Sequence, residues 1–205
     1  MLNRHSILIA ASIVSSAFAT TNLSAQVTDT SIMTPTSERA KHWELTVPSG
    51  TLVQTGAQRD VLKRGDVSAV QLTYAASPLL AFTSTVGWAR SRDIATEGNP
   101  KLDVFTYDVG AELRAPRMTG KSLTFMPFAG AGAGGRSYNY RSLDVDATHN
   151  VAAYASIGGD VLIRRVGIRL EARDYVAGFK PLNGSGDART SNDIAVMIGV
   201  RLLSR

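Results

Sequence analysis

The sequence predicts an all-β chain folded as an eight-stranded antiparallel up-and-down transmembrane β-barrel. Three observations carry that prediction. About eight short segments alternate apolar with polar residues, as strands do because successive side chains point to opposite faces. Their number is even, as a single-chain bacterial barrel requires. Their connections alternate between short and long, the asymmetry of short periplasmic turns and longer outer loops. The last segment shows the pattern best: Ile194, Val196, Ile198, Val200 and Leu202 share one face, opposite Asp193, Ala195, Met197, Gly199 and Arg201.

The N-terminus reads as a secretory signal over residues 1–25. Arg4 and His5 make a basic start, Ile7 to Val14 is an apolar stretch, and Ala17-Phe18-Ala19 fits the small-x-small cleavage rule. Cleavage is expected after Ala19 or after Ala25. The apolar stretch is shorter than the roughly 20 residues a spanning helix needs. The mature chain is therefore expected to be exported, and the signal type points to a bacterium. Residues 26–42 are rich in Thr and Ser, lack periodicity and read as a flexible periplasmic lead-in. Residues 43–205 are expected to form the barrel.

Composition narrows the classes. The chain has 205 residues and no cysteine, which removes thiol catalysis, cysteine metal sites and disulfide support. A closed barrel offsets that loss, because closure leaves no unpaired edge. The net charge is +5 and falls by one when the signal, with its single Arg4, is removed. That mild bias favours anionic lipid head groups and is too diffuse for nucleic acid.

The strands follow in order. The first runs from Trp43 to about Val53, with Trp43, Leu45 and Val47 opposite Glu44 and Thr46; Pro48 and Gly50 interrupt it, which a strand edge or bend tolerates. The second, about Asp66 to Ala76, sets Val70, Leu72 and Tyr74 against Gln71, Thr73 and Ala75. The third, Leu80 to Arg90, presents Leu80, Phe82, Val86 and Trp88. In the fourth, Phe105, Tyr107, Val109, Ala111 and Leu113 oppose Thr106, Asp108, Gly110, Glu112 and Arg114. The fifth alternates Leu123, Phe125 and Ala129 with Met126, Phe128 and Gly130. The sixth, about Val151 to Ile163, sets Ala153, Ala155 and Ile157 against Tyr154, Ser156 and Asp160. The seventh sets Val166, Ile168 and Leu170 against Arg169, Glu171 and Arg173. Short connections are expected at Ser77-Pro78, Pro116 to Lys121 and Arg164-Arg165, and longer ones near 54–65, 92–102, 141–149 and 178–191. Both chain ends then fall on the short-turn side.

Asp108, Glu112, Arg114, Asp160, Arg169, Glu171, Arg173 and Arg201 all fall on polar faces. An eight-stranded barrel is just wide enough for side chains to fill, and charges of both signs can pair across it, which offsets part of their desolvation. The glycines at 130, 132 and 134 are expected to make room for the arginines opposite. A soluble sandwich would expose the same charges to water, so charge placement alone does not choose between them. The aromatic content of the apolar faces favours lipid: Trp43, Tyr74, Trp88 and Tyr107 lie there, several near strand ends, as girdle residues do.

The segment from Arg169 to Phe179 resembles the penultimate strand of small bacterial outer-membrane β-barrel proteins of the OmpA/OmpX-like class. Thr51 to Gly56 and Phe128 to Gly132 resemble the first and fifth strands of the same class. The resemblance covers about residues 43–203 and rests on the order and spacing of its segments. It implies an eight-stranded barrel in the outer membrane, with structural, adhesive or binding roles among its members. One departure is plain: such barrels commonly end on an aromatic residue read by the assembly machinery, and this chain ends Leu202-Leu203-Ser204-Arg205.

Candidate chemistry is sparse. Gly130, Gly132 and Gly135 match a dinucleotide fingerprint by letters, but the mechanism needs a helix to follow, and Arg136 to Tyr140 continue a strand. His42 and His149 are the histidines left after processing. His149 has Thr148 beside it and Asp144 and Asp146 nearby, yet the His-and-Ser pattern of lipid A deacylases is absent, since residue 151 is valine. The same aspartates fall short of an oxygen-ligand cage. Asp187 reads as a turn residue. Arg173 is expected in the lumen, with Asp174 capping the outer rim.

No catalytic, cofactor-binding or metal site is therefore expected, and no cofactor. The expected role is structural or surface-interactive in the bacterial outer membrane. The expected partners are outer-membrane lipids and lipopolysaccharide, the assembly machinery, and an extracellular ligand held through the loops. The alternatives are a lipid-modifying enzyme, a narrow small-solute channel, or a soluble periplasmic barrel around a hydrophobic ligand.

Overall fold

The computed structural model describes residues 41–55, 59–120, 123–141, 143–144, 146–163, 165–179 and 189–204. The expected signal and most of the lead-in, the loop holding Asp187, Arg164 and Arg205 lie outside them.

Nine strands form among the described residues: β1 (His42–Gln54), β2 (Gly65–Ala75), β3 (Leu80–Arg92), β4 (Lys101–Arg114), β5 (Met118–Thr119), β6 (Thr124–Tyr140), β7 (Thr148–Ile163), β8 (Val166–Phe179) and β9 (Arg189–Leu203). Eight of them are staves, each antiparallel to the next. β4 pairs with β6, and β1 pairs with β9 from Glu44↔Leu203 to Gln54↔Asp193, which closes the sheet. The staves run from 11 residues in β2 to 17 in β6, at or beyond the roughly 9–11 residues that cross a bilayer at a tilt.

β5 is the exception. Met118 and Thr119 pair with Phe125 and Thr124, so the short connection expected at Pro116 to Lys121 runs over 115–123 and folds back on the start of β6. Pro116 has no N–H to donate, which ends the β4 ladder there. The other two connections on this side are tight. Ser77 Oγ accepts from the Leu80 and Leu79 amides at 3.0 and 3.3 Å in one, and β7 passes to β8 through 164–165. The start of β1 and the end of β9 lie on this side, tied by the Ser204 amide donating to the Trp43 carbonyl at 2.8 Å.

Pro48 sits in a closed barrel, not at an edge. The β1–β2 ladder skips Val47 and Pro48 and resumes at Ser49↔Ser68 in unchanged register. On the other side Pro48 faces Gly199, where an added Cβ would lie 2.7 Å from the Pro48 Cα. The opposite residue gives up its side chain so that the proline fits.

Burial alternates along the membrane-level part of the staves, with unbroken buried runs only toward the long loops at 102–104 and 135–138, and it is inverted relative to a soluble protein. The apolar side points outward: Val109 is 64% exposed and Val86 63%, with Trp43, Leu45, Val70, Phe82 and Ile198 on the same surface. The charged side points in, where Asp160 and Arg201 are wholly buried. The soluble barrel with an apolar interior is thereby excluded. Aromatic rings gather at two levels of the outer surface. Trp43 and Tyr74 meet at 4.9 Å near the chain ends, and Trp88 stacks on Phe105 at 6.3 Å toward the long loops. Two such levels are the girdles of a transmembrane barrel.

Of the three glycines expected to accommodate arginines, Gly132 accommodates a ring instead, while Gly130 lies against Ser156 and Gly134 against Tyr107 and Asp108 of β4. A Cβ on Gly132 would lie 2.6 Å from Tyr154 Cε1, and one on Gly110 would lie 2.2 Å from its hydroxyl. Arg173 then stacks on that ring at 4.3 Å. The device recurs at Gly158, which makes room for Phe128, with Arg169 3.7 Å above the ring. Gly132→Ala is therefore expected to destabilise the barrel by about 1–3 kcal/mol through overpacking, measured by urea unfolding in micelles. Gly120→Ala, whose Cβ would meet only the Leu123 carbonyl at 3.6 Å, should leave the midpoint unchanged.

Candidate functional site

The lumen is where chemistry-bearing residues converge. β8 supplies its spine, because residues two apart on a strand share a face. Arg169, Glu171, Arg173 and Tyr175 stack inward in that order. Glu171 is the linchpin. Its carboxylate accepts from Arg169 Nε at 2.9 Å and from Arg173 Nε and Nη2 at 2.8 and 2.7 Å. Arg173 also reaches Asp108 of β4 at 3.2 Å, and the Tyr175 hydroxyl donates to the same carboxylate at 2.8 Å.

Toward the chain ends the network widens. Arg169 pairs with Glu112 and reaches Asp160 at 3.4 Å. Arg201 of β9 pairs with Asp160 and Glu44. Arg114 donates to both oxygens of Glu44 at 3.0 and 2.7 Å, the bidentate geometry that makes such pairs strong. His42 Nε2 lies 2.9 Å from Glu44. Toward the long loops a separate pair, Arg136 with Asp193, sits against the Tyr175 ring.

Arg114, Arg136, Arg169, Arg173 and Arg201 thus face Glu44, Asp108, Glu112, Asp160, Glu171 and Asp193, all buried. Near-balance of sign is what makes burial of so many charges tolerable, since each is paired and hydrogen-bonded. The eight charged residues named together on polar faces from sequence are all in this network, and so are Glu44 and Asp193 from the same faces. Arg136 and His42 were missed as members. Arg136 continues the alternation beyond the glycine run, which was the available signal.

The network leaves little open space. Between it and Leu52, Val104 and Met197 lies a cavity of about 10 Å³, the room one water needs. Above it Leu62, Leu102, Tyr138 and Tyr140 join an apolar cluster that fills the long-loop end.

The other candidates do not assemble. Gly130, Gly132 and Gly135 lie within β6, with no helix to receive a pyrophosphate. His149 lies in β7 rather than in a loop, exposed and in register with Ser137 of β6. That pairing of a serine with a histidine was not legible in sequence, where only residue 151 was considered. No hydrogen bond joins the two among the described residues, so the geometry of a base beside its nucleophile is not made. Asp144, Asp146 and His149 do not form a metal-binding group among the described residues. Asp174 points outward at the upper part of β8, in register with Ile194, while its neighbour Arg173 points in.

No protein-family model and no curated protein matches the sequence. Solved structures do. Neisserial surface protein A is similar at a TM-score of 0.54, with 11% identity over 78% of this chain and 96% of that one. The outer-membrane protein AlkL, solved in lipid bilayers, is similar at 0.52, with 12% identity over 89% and 97%. OprG from Pseudomonas aeruginosa is similar at 0.50, with 13% identity over 82% and 97%. At such identities the likeness concerns the fold. This chain has the OmpA/OmpX-like fold, the eight-stranded antiparallel transmembrane β-barrel of small outer-membrane proteins.

Proposed function

We propose that this protein is a non-conducting, non-catalytic outer-membrane barrel with a structural and surface-interactive role. It is exported by a cleaved signal, inserted by the outer-membrane assembly machinery, and displays its four long loops to the exterior. One observation carries the reading: the outer surface is apolar while the lumen is closed by a paired ion network. Such a barrel holds its loops rigidly in a membrane and has no aqueous path through its middle. The loops at 55–64, 93–100, 141–147 and 180–188 are then the parts that meet an extracellular ligand.

Fractionation and gel migration test the membrane half of the reading. The protein should be recovered with the outer membrane, and its unboiled band should migrate apart from the boiled one. Recovery as a soluble periplasmic species would reject it. Planar bilayers test the other half. The native protein should show no steady conductance, whereas reproducible single-channel steps would favour the narrow-channel alternative. Turnover of lipid A that disappears in His149→Ala would favour the enzyme.

A further inference from the structure

The long-loop rim carries a charge pattern that the lumen network does not explain. Two rows of side chains cross four strands there, one above the other. In the lower row Arg90 of β3 stands in register between Asp66 of β2 and Asp103 of β4, so its charge is balanced. In the upper row the neighbours are all cations. The Lys63 amide donates to the Arg92 carbonyl at 2.9 Å, Arg92 is in register with Lys101, and the Arg141 amide donates to the Lys101 carbonyl at 3.1 Å. Adjacent strands lie about 4.8 Å apart, and like charges set directly opposite repel. Arg141 reaches down to Asp103 in a bidentate pair at 2.6 and 3.1 Å. Lys63, Arg64, Arg92 and Lys101 make no ion pair among the described residues.

These cations, with Arg90 and the carboxylates of Asp66 and Asp103 below them, line an open cleft of about 360 Å³ in which cations outnumber carboxylates, the size of a small-molecule site. Its position says what kind of anion reaches it. Immediately below, Arg90 lies 4.0 Å over the Trp88 ring, which stacks on Phe105 at the top of the apolar belt. A tryptophan at that level marks the membrane–water interface. The cleft therefore opens on the outer side of the barrel wall at head-group height.

We infer that this cleft binds the phosphate groups of an anionic lipid of the surrounding leaflet, whose acyl chains lie along the belt beneath Trp88. A phosphate seated between Arg92 and Lys101 converts their repulsion into two attractive contacts. Arg90 is already held by the indole, so less side-chain freedom is lost on binding. The inference rests on the membrane reading proposed above, and it names the lipid partner of that barrel.

The test uses the full chain carrying Trp43→Phe, so that Trp88 emission reports the site, refolded into phosphatidylcholine vesicles. The vesicles hold either a diphosphorylated lipid A or the same lipid stripped of phosphate, and the unboiled gel band checks insertion in both. The phosphorylated lipid should bind at least about thirtyfold tighter than the stripped one, since Arg92 and Lys101 alone contribute that much. R92Q/K101Q should lose about thirtyfold, at roughly fivefold per cation near an anionic surface. K41Q/R117Q, which removes the same charge at the opposite end of the barrel, should lose nothing. Equal binding of the two lipids by inserted protein, or unchanged binding in R92Q/K101Q, overturns the site alone. Displacement of the lipid by inorganic pyrophosphate at equal concentration would mean the cleft takes free phosphate, which overturns the lipid assignment. Failure to insert in either vesicle overturns the membrane reading and the site with it.

Discussion

Glu171→Gln should lower the stability of the folded barrel by about 3–5 kcal/mol, the cost of removing one partner from a buried ion pair. Glu171 accepts three hydrogen bonds from Arg169 and Arg173, and both guanidinium groups are almost wholly buried. The amide keeps the shape but loses the charge, and its NH2 end can only point at other donors. Asp108 and Glu112 remain, yet each already serves another contact: Asp108 accepts from Tyr175, and Glu112 from Arg114. The measurement is denaturant unfolding in micelles, read by the shift between folded and unfolded gel bands. Glu97→Gln, in an exposed loop, should fall within about 0.5 kcal/mol of native. A loss below about 1 kcal/mol for Glu171→Gln would mean that water solvates the two arginines, and that the lumen is wet rather than sealed.

Val109→Arg is the second large effect, and it tests the outer surface. Val109 lies midway between Phe105 and Leu113 on the outward face of β4 and is 64% exposed. In a water-soluble protein a residue so exposed tolerates arginine within about 0.5 kcal/mol. At the midplane of a bilayer the same change costs about 2–4 kcal/mol. Folding equilibria in phosphatidylcholine vesicles distinguish the two cases directly. A cost near zero would show that this face meets water, and would reverse the inside-out assignment on which the membrane reading depends.

Much of this architecture could be read residue by residue. Alternation separated Asp108, Glu112, Arg169 and Arg201 from Val86, Val109 and Ile198, because adjacent side chains on an extended chain must diverge, and the aromatics of the apolar faces favoured turning those faces to lipid. Strand bounds were close for the same reason. The errors fell where a neighbour from elsewhere decides the outcome. Pro48 was assigned to an edge or bend, but Gly199 on β9 accommodates it within a closed ladder. The glycine run was matched to arginines, but at Gly132 the space is taken by Tyr154, on whose ring Arg173 stacks. The short connection expected at Pro116 to Lys121 holds a two-residue strand of its own, because Met118 and Thr119 find partners in β6.

By itself, then, the sequence determined the number of staves, the two faces of each and the sign of what each face carries. These are local properties of backbone geometry, readable within a few residues. Only the tertiary structure decided which charges meet across the lumen, that Ser137 lies opposite His149, and that Lys63, Arg92, Lys101 and Arg141 form one row on the rim. Those neighbours come from strands far apart in the chain, and their meeting depends on the register and stagger with which the sheet closes. Register is a property of pairs of strands, and closure a property of all eight together, so neither is written in any one segment.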